Sequence, residues 1–407
     1  MKYMGSKRWM LKNGLGDLIC AQAKSATRFI DLFTGSGAVA CFAAQRTSLP
    51  VKAYDLQGFA VVLAEAVIGR DKACDANQIW ADWFDSAQRF RKEHRIPRAE
   101  KLTRSEVAKC RAWSAARQGQ PITKAYGGYY YSPLQAIWID SFRKALPKTD
   151  PESSVALAAL IDAASRCAAA PGHTAQPFQP TQTAKRFLQE AWEKDITNYL
   201  KRALISIASQ HANAKGSAQI ANANDAAQSI EKGDLVFVDP PYSGVQYSRF
   251  YHVLETIARG TSSDVFGTGR YPARDERPQS KYSNKTQSRG AIKELLKILA
   301  NHEATVILTF PDHVCSNGLS GGIIRRAAAP FFEVHRKSVK TRFSTLGGNS
   351  AEPDKNGGRQ SRQTAKELIL VLAPTKKADS GLGMKDTKEQ SDVEPDARHG
   401  RRLRVLT

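Results

Sequence analysis

Apolar positions along this chain switch between two periods. "RFIDLF" (28–33) and "PVKAYD" (50–55) are short strand-like runs. Each leads through a turn into small and apolar residues at helical spacing, "GSGAVACFAAQ" (35–45) and "GFAVVLAEAVI" (58–68). Two successive strand–turn–helix units predict an α/β fold with a parallel sheet of doubly wound type. The alternation then stops. Residues 71–220 are basic and rich in aromatics, with "YGGYYYSPLQAIWIDSFRKAL" (126–146) and the alanine-rich "SVALAALIDAASRCAAA" (154–170), and read as an inserted, mostly helical domain. Strand signals resume at "GDLVFVDPPY" (233–242), "ATVILTFPD" (304–312) and "KELILVLAP" (366–374). The stretches around 260–290 and 344–365 carry loop composition. The predicted organisation is therefore an α/β domain from 1–70 and 221–374, an insertion at 71–220, and a disordered basic tail at 375–407, where apolar periodicity ends.

No run approaches the ~18 apolar residues of a membrane span, and "MKYMGSKRWMLKNG" lacks the apolar core of a secretory leader. The six cysteines are scattered without metal-ligand spacing, so no metal site is expected. A cytoplasmic protein is the expectation. Charge sharpens the picture: 60 Lys and Arg against 39 Asp and Glu give +21. The excess is concentrated. Residues 86–148 hold 14 basic and 4 acidic side chains, and residues 336–366 hold 8 and 2. Concentrated positive charge predicts a polyanionic partner, most simply nucleic acid.

"GSGAVA" (35–40) sits between a strand and a helix, where glycine lets backbone approach a ligand closely. Asp55 closes the next strand, where a carboxylate can accept from ribose hydroxyls. By themselves these fit a nicotinamide dinucleotide, a flavin or S-adenosylmethionine. Asp31, at the strand end in "IDLF", would repel a pyrophosphate and attract a sulfonium ligand with a free α-amino group. It tilts the reading toward S-adenosylmethionine.

"DPPY" (239–242) places an acid where open α/β sheets bind ligands. Pro240 and Pro241 fix φ and remove N–H donors. Asp239 and the Pro240 carbonyl thus form a rigid pair of acceptors, suited to an exocyclic amine with two protons to donate. Tyr242 offers a face for a flat base taken out of its stack. Tyr247, Arg249 and Tyr251 follow closely and are candidate DNA contacts, as are His173 and the basic segment 336–366.

In this combination the chain resembles the Dam-type, D12-class DNA N6-adenine methyltransferases. "KYMGSK" (2–7), with Tyr3, Gly5 and Lys7, resembles the family's amino-terminal cofactor motif. "DLFTGSG" (31–37), with Asp31, Phe33, Gly35 and Gly37, resembles its glycine motif. Asp55 falls at the ribose acid, Asp225 at the acid that meets the cofactor's adenine, and Asp239–Tyr242 at the catalytic motif. The resemblance implies a Rossmann-like methyltransferase sheet with a reversed β-hairpin, S-adenosylmethionine as cofactor, double-stranded DNA as substrate and N6-methyladenine as product. It leaves the target sequence open, since the insertion does not match the small Dam recognition unit. A cognate restriction nuclease and a monomeric enzyme are further expectations. The residues leave three rivals: a cytosine-N4 or RNA amino-methyltransferase, a nicotinamide oxidoreductase, and a non-catalytic nucleic-acid binder.

Overall fold

Seven strands build the central sheet of this computed structural model, which describes residue 3 and residues 5–91, 95–344 and 362–375. They are β1 Arg28–Asp31, β2 Val51–Asp55, β3 Ser217–Ile220, β4 Asp234–Val238, β7 Thr305–Pro311, β8 Phe332–Ser344 and β9 Arg362–Pro374. β5 Val265–Phe266 and β6 Tyr271–Pro272 form a separate small ribbon. The sheet order is β3-β2-β1-β4-β7-β9-β8. The strands from β3 to β7 pair in parallel, while β9 runs antiparallel between β7 and β8. This is a Rossmann-like sheet with a reversed hairpin at one edge.

β4 is buried at all five positions, as expected of a parallel strand covered on both faces. Leu235 and Phe237 join Phe29, Val51 and Ile307 beneath Ile19, Val39 and Ala64 of the helices Gly16–Ala23, Ala38–Arg46 and Gly58–Ile68. Val236 and Val238 face the other way, toward Leu295 and Leu299 of helix Ser288–Asn301 and Ile324 of helix Gly321–Ala328. At the amino edge of the sheet Arg28 holds Asp234 through Nε at 2.8 Å and Nη2 at 2.6 Å, locking β1 beside β4.

Between helix Gly58–Ile68 and β3 the chain is helical, from Ala76–Arg91 through Glu152–Cys167 to Ile196–Ala208. Thr103 with Glu106 and Ser132 with Gln135 close capping boxes at two of its helix starts. Asp140 is buried and accepts from the Ile122 and Thr123 amides and the Thr123 hydroxyl. The core of this segment is continuous with Phe59 and Ala60 and with Phe250, Val253 and Leu254 of helix Tyr247–Arg259. This helical segment thus shares one core with the elements that frame the sheet's carboxyl edge.

Two sequence expectations shift. β3 lies just before residue 221, inside the stretch expected as the insertion, yet it pairs with β2 in the sheet: "SAQI" is a half-exposed edge strand and lacks the apolar run that marks buried strands. The stretch 344–365, expected as a loop, is strand where described, since Ser344 ends β8 and residues 362–365 open β9; the basic stretch 336–343 likewise lies in β8. Residues 345–361, and the tail expected beyond Thr375, lie outside the described residues. Among the described residues no helix is long and apolar enough to cross a membrane.

Candidate active site

β1 and β4 are neighbours whose chain connections leave in opposite directions, and a cleft opens above this switch point. It measures about 940 Å³, part of it open to solvent, and is lined from the ends of β1, β2 and β4 and from the amino-terminal segment. Asp31, Phe33, Gly35, Asp55, Tyr3, Gly5, Lys7, Asp239, Pro240, Pro241, Tyr242 and Tyr247 all border it. The candidates read from three distant stretches of sequence therefore meet in one place.

The glycine turn is held from two sides. Asp55 accepts from the Gly35 amide at 2.8 Å and the Gln57 amide at 2.9 Å, tying the end of β2 to the turn after β1. Gly35 has φ +53°, and a Cβ there would lie 2.7 Å from the Tyr3 hydroxyl. Tyr3 in turn stacks on Tyr251, with ring centroids 4.7 Å apart and planes 13° from parallel. Gly37 does not border the cleft. It caps helix Ala38–Arg46 in the left-handed conformation and donates to the Thr34 carbonyl, so its contribution is to the turn itself.

At this end the cleft is acidic, and among the described residues no Lys or Arg is paired with Asp31 or Asp55. Asp31 is 1% exposed, and burial pushes its carboxyl up to about 8, with the charges of Asp239 and Asp55 adding to the shift and the Phe33 amide opposing it. Burial likewise raises Asp55 to about 6, against the Gln57 and Gly35 amides. Ser6 Oγ, Gln57 Oε1 and Ser248 Oγ, all in lining residues, are buried without a hydrogen-bond partner among the described residues. Native interiors rarely leave such groups unmet, so these mark where a polar ligand belongs.

At the other end Asp239 is gripped. Lys7 Nζ lies 2.8 Å from its carboxylate and 2.9 Å from that of Glu367 on β9, and the Thr309 hydroxyl donates to Asp239 Oδ1 at 2.8 Å. Burial pushes the Asp239 carboxyl up, and the Lys7 ammonium offsets this only in part because Glu367 shares it. Asn317 Nδ2 donates to the Pro241 carbonyl at 2.7 Å and to the Tyr282 carbonyl at 3.0 Å, fixing the turn below the motif. The Tyr242 hydroxyl rests on Gly5: a Cβ there would be 2.2 Å away, and Gly5 has φ +75°. Tyr247 meets Tyr242 edge-on, with centroids 6.3 Å apart. Gln246 and Ser280 exchange two hydrogen bonds, at 3.0 and 2.7 Å, clasping the segment after the motif to the rim.

Other candidates fall elsewhere. Asp225 is exposed and outside the cleft lining. Asn222 caps helix Ala223–Ala226, which turns Asp225 outward and brings Asn222 and Ala223 to the cleft instead. Tyr251 is 1% exposed and is a core residue beneath Tyr3, not a surface contact. Arg249 is exposed, its guanidinium 4.6 Å from the Tyr271 ring centroid. His173 is buried against Phe250. Sequence reading missed Glu367 and Thr309, although an acid opening the apolar run "ELILVLA" and a hydroxyl inside "ILTF" are unusual enough to have marked them.

A model of the D12 class of N6 adenine-specific DNA methyltransferases matches residues 3–304. The modification methylase LlaI of Lactococcus lactis subsp. lactis is 46% identical over 66 residues, which cover 16% of this chain and 10% of that protein. The type II methyltransferase M.FokI of Planomicrobium okeanokoites is 34% identical over 109 residues, covering 26% of this chain and 16% of that protein. The matched regions thus span about a tenth and a sixth of these two curated relatives. With the family match running across most of the chain and the sheet carrying the reversed hairpin, the protein belongs to the D12 class of N6 adenine-specific DNA methyltransferases.

Proposed function

We propose that this chain transfers a methyl group from S-adenosylmethionine to N6 of an adenine flipped out of duplex DNA. One observation carries the reading: a single cleft holds an acidic end at Asp31 and Asp55, unpaired among the described residues, together with the rigid acceptors of Asp239 and Pro240. The residues fit the cofactor. Asp31 suits a cationic amino-acid end and Asp55 ribose hydroxyls, while Asn222, Gln57, Ser6 and Ser248 offer polar groups around them. When bound, S-adenosylmethionine supplies a methyl group on a positively charged sulfur, open to attack by a nitrogen lone pair.

The rest is the protein's work. An aromatic amine is a weak nucleophile because its lone pair is spread into the ring. Asp239 and the Pro240 carbonyl accept its two protons and so favour a pyramidal nitrogen, while Tyr242 offers its face to the base. Methylation would leave the nitrogen with a proton to lose, and Asp239, with its carboxyl raised by burial, is the group that would take it. Positioning and aimed acceptors are the main sources of acceleration. The helical insertion is the candidate recognition domain, and one chain suffices for one cofactor and one base.

Incubation with tritiated S-adenosylmethionine and adenine-unmethylated genomic DNA, followed by nucleoside chromatography, tests the reading. Label in N6-methyladenine is the expected result; label in N4-methylcytosine would reassign the base, and absence of cofactor binding would overturn the proposal. Gly5→Ala forces its new methyl into the Tyr242 hydroxyl and strains a left-handed residue. It should lower turnover by roughly tenfold through a displaced ring, with duplex affinity within about twofold of the parent in anisotropy titrations.

A further inference from the structure

Beside the cleft mouth, four arginines stack in two sandwiches on two tyrosines. Arg111 from the insertion and Arg270 from the ribbon flank Tyr129, with guanidinium-to-centroid distances of 4.3 and 4.5 Å. Arg249 and Arg277 flank Tyr271 at 4.6 and 5.6 Å. The sandwiches adjoin, because Arg270 and Tyr271 are consecutive, and Arg277 precedes Pro278, which lines the cleft. Among the described residues none of the four guanidiniums is paired with a carboxylate. Burial lowers the pKa of Arg111 and Arg277, and the nearby Arg249 charge lowers Arg277 further.

Like charges crowded without counter-charges are costly unless something else uses them. The sandwiches are also firmly built. Arg111 and Arg270 each spend Nε on a carbonyl, of Gly128 and Ala125, at 2.9 and 2.8 Å, and Arg111 Nη2 donates to Gln179 at 2.9 Å. The Tyr130 hydroxyl donates to the Gly269 carbonyl at 2.9 Å, and Tyr271 donates to the Ala175 carbonyl, fastening the ribbon to the insertion. Stacking on a ring face leaves guanidinium N–H edges pointing outward, an arrangement matched to phosphate oxygens.

We propose that these two arginine–tyrosine sandwiches form a phosphate track that holds the backbone of duplex DNA as it leads into the cleft. The track deepens the reading under Proposed function and rests on it. It joins the insertion to the catalytic side of the molecule, so DNA on it would bind both at once.

The test is the salt dependence of binding to a fluorescein-labelled DNA duplex of mixed sequence, between about 50 and 200 mM salt. R249A/R277A should flatten the slope of log affinity against log salt by ~1.8, the loss expected for two phosphate contacts. R249K/R277K should keep most of the slope. K24A/K215A removes the same charge near the amino ends of β1 and β3, away from the cleft, and should leave the slope unchanged. A parent-like slope in R249A/R277A, with an unaltered melting curve, would overturn the track, as would an equal loss in the K24A/K215A control. Tighter binding to an RNA duplex of the same sequence would overturn the DNA assignment. Label transfer by the parent protein, run in parallel, reports on the methyltransferase reading by itself: a parent that labels adenine while the variant slopes do not move refutes only the track.

Discussion

Asp239→Ala should lower methyl transfer by ~10³-fold or more, the cost of removing an aimed hydrogen-bonding group from a transition state, while the protein stays folded and binds duplex DNA. The fold should survive for a specific reason. Removing one partner of a buried ion pair usually leaves an uncompensated charge and costs about 3–5 kcal/mol. Here Lys7 keeps Glu367 at 2.9 Å, so its ammonium is not orphaned. The loss should instead be about 1–2 kcal/mol, from the Thr309 hydroxyl bond and the vacated space. Single-turnover label transfer together with denaturant unfolding checks both parts. Turnover within tenfold of the parent, in a variant shown to be folded, would remove Asp239 from the chemistry.

That the fold survives without Asp239 depends on Glu367, and Glu367 shows where sequence reading stops. Asp239, Asp31 and Asp55 were legible because each closes or follows a strand in a parallel sheet, and strand ends in such sheets collect at one edge. Glu367 lies 128 positions beyond Asp239. It reaches the same cleft only because β9 runs antiparallel beside β7, a reversal that no local pattern records. Asp225 and Asn222 differ for a smaller reason. "NAND" offers several polar side chains in a row, and only the helix start at Asn222 decides which one faces inward. Tyr251 was misplaced by the same kind of ambiguity, since an aromatic in an amphipathic helix serves core or surface according to a rotation of about 100° per residue. The helical character of the stretch from Ala76 to Ala208 was legible as a composition change; its shared core with Phe59 and Phe250 was not, because those contacts join residues far apart in the chain.

Asp31→Asn should separate stability from binding. In the folded protein burial holds the Asp31 carboxyl at about 8, against about 3.9 for an unperturbed aspartate. The folded state therefore binds this proton more tightly than the unfolded state. Its contribution to stability is fully present below about pH 4 and is lost as pH rises toward 8. Asparagine retains an acceptor for the Phe33 amide but has no charge to bury. The variant should gain on the parent as pH rises from 5 to 8, reaching on the order of 1–3 kcal/mol at the upper end. The same change should weaken S-adenosylmethionine binding by about 100-fold, because the cation loses its buried counter-charge. In the parent, a cation beside Asp31 favours the ionised carboxyl, so binding near pH 7 should release a proton and tighten as pH climbs toward 8. Calorimetry in two buffers of different ionisation enthalpy measures that proton directly. An Asp31→Asn protein that binds the cofactor as tightly as the parent, with no proton released by either, would mean that the acidic end of the cleft does not face a cation.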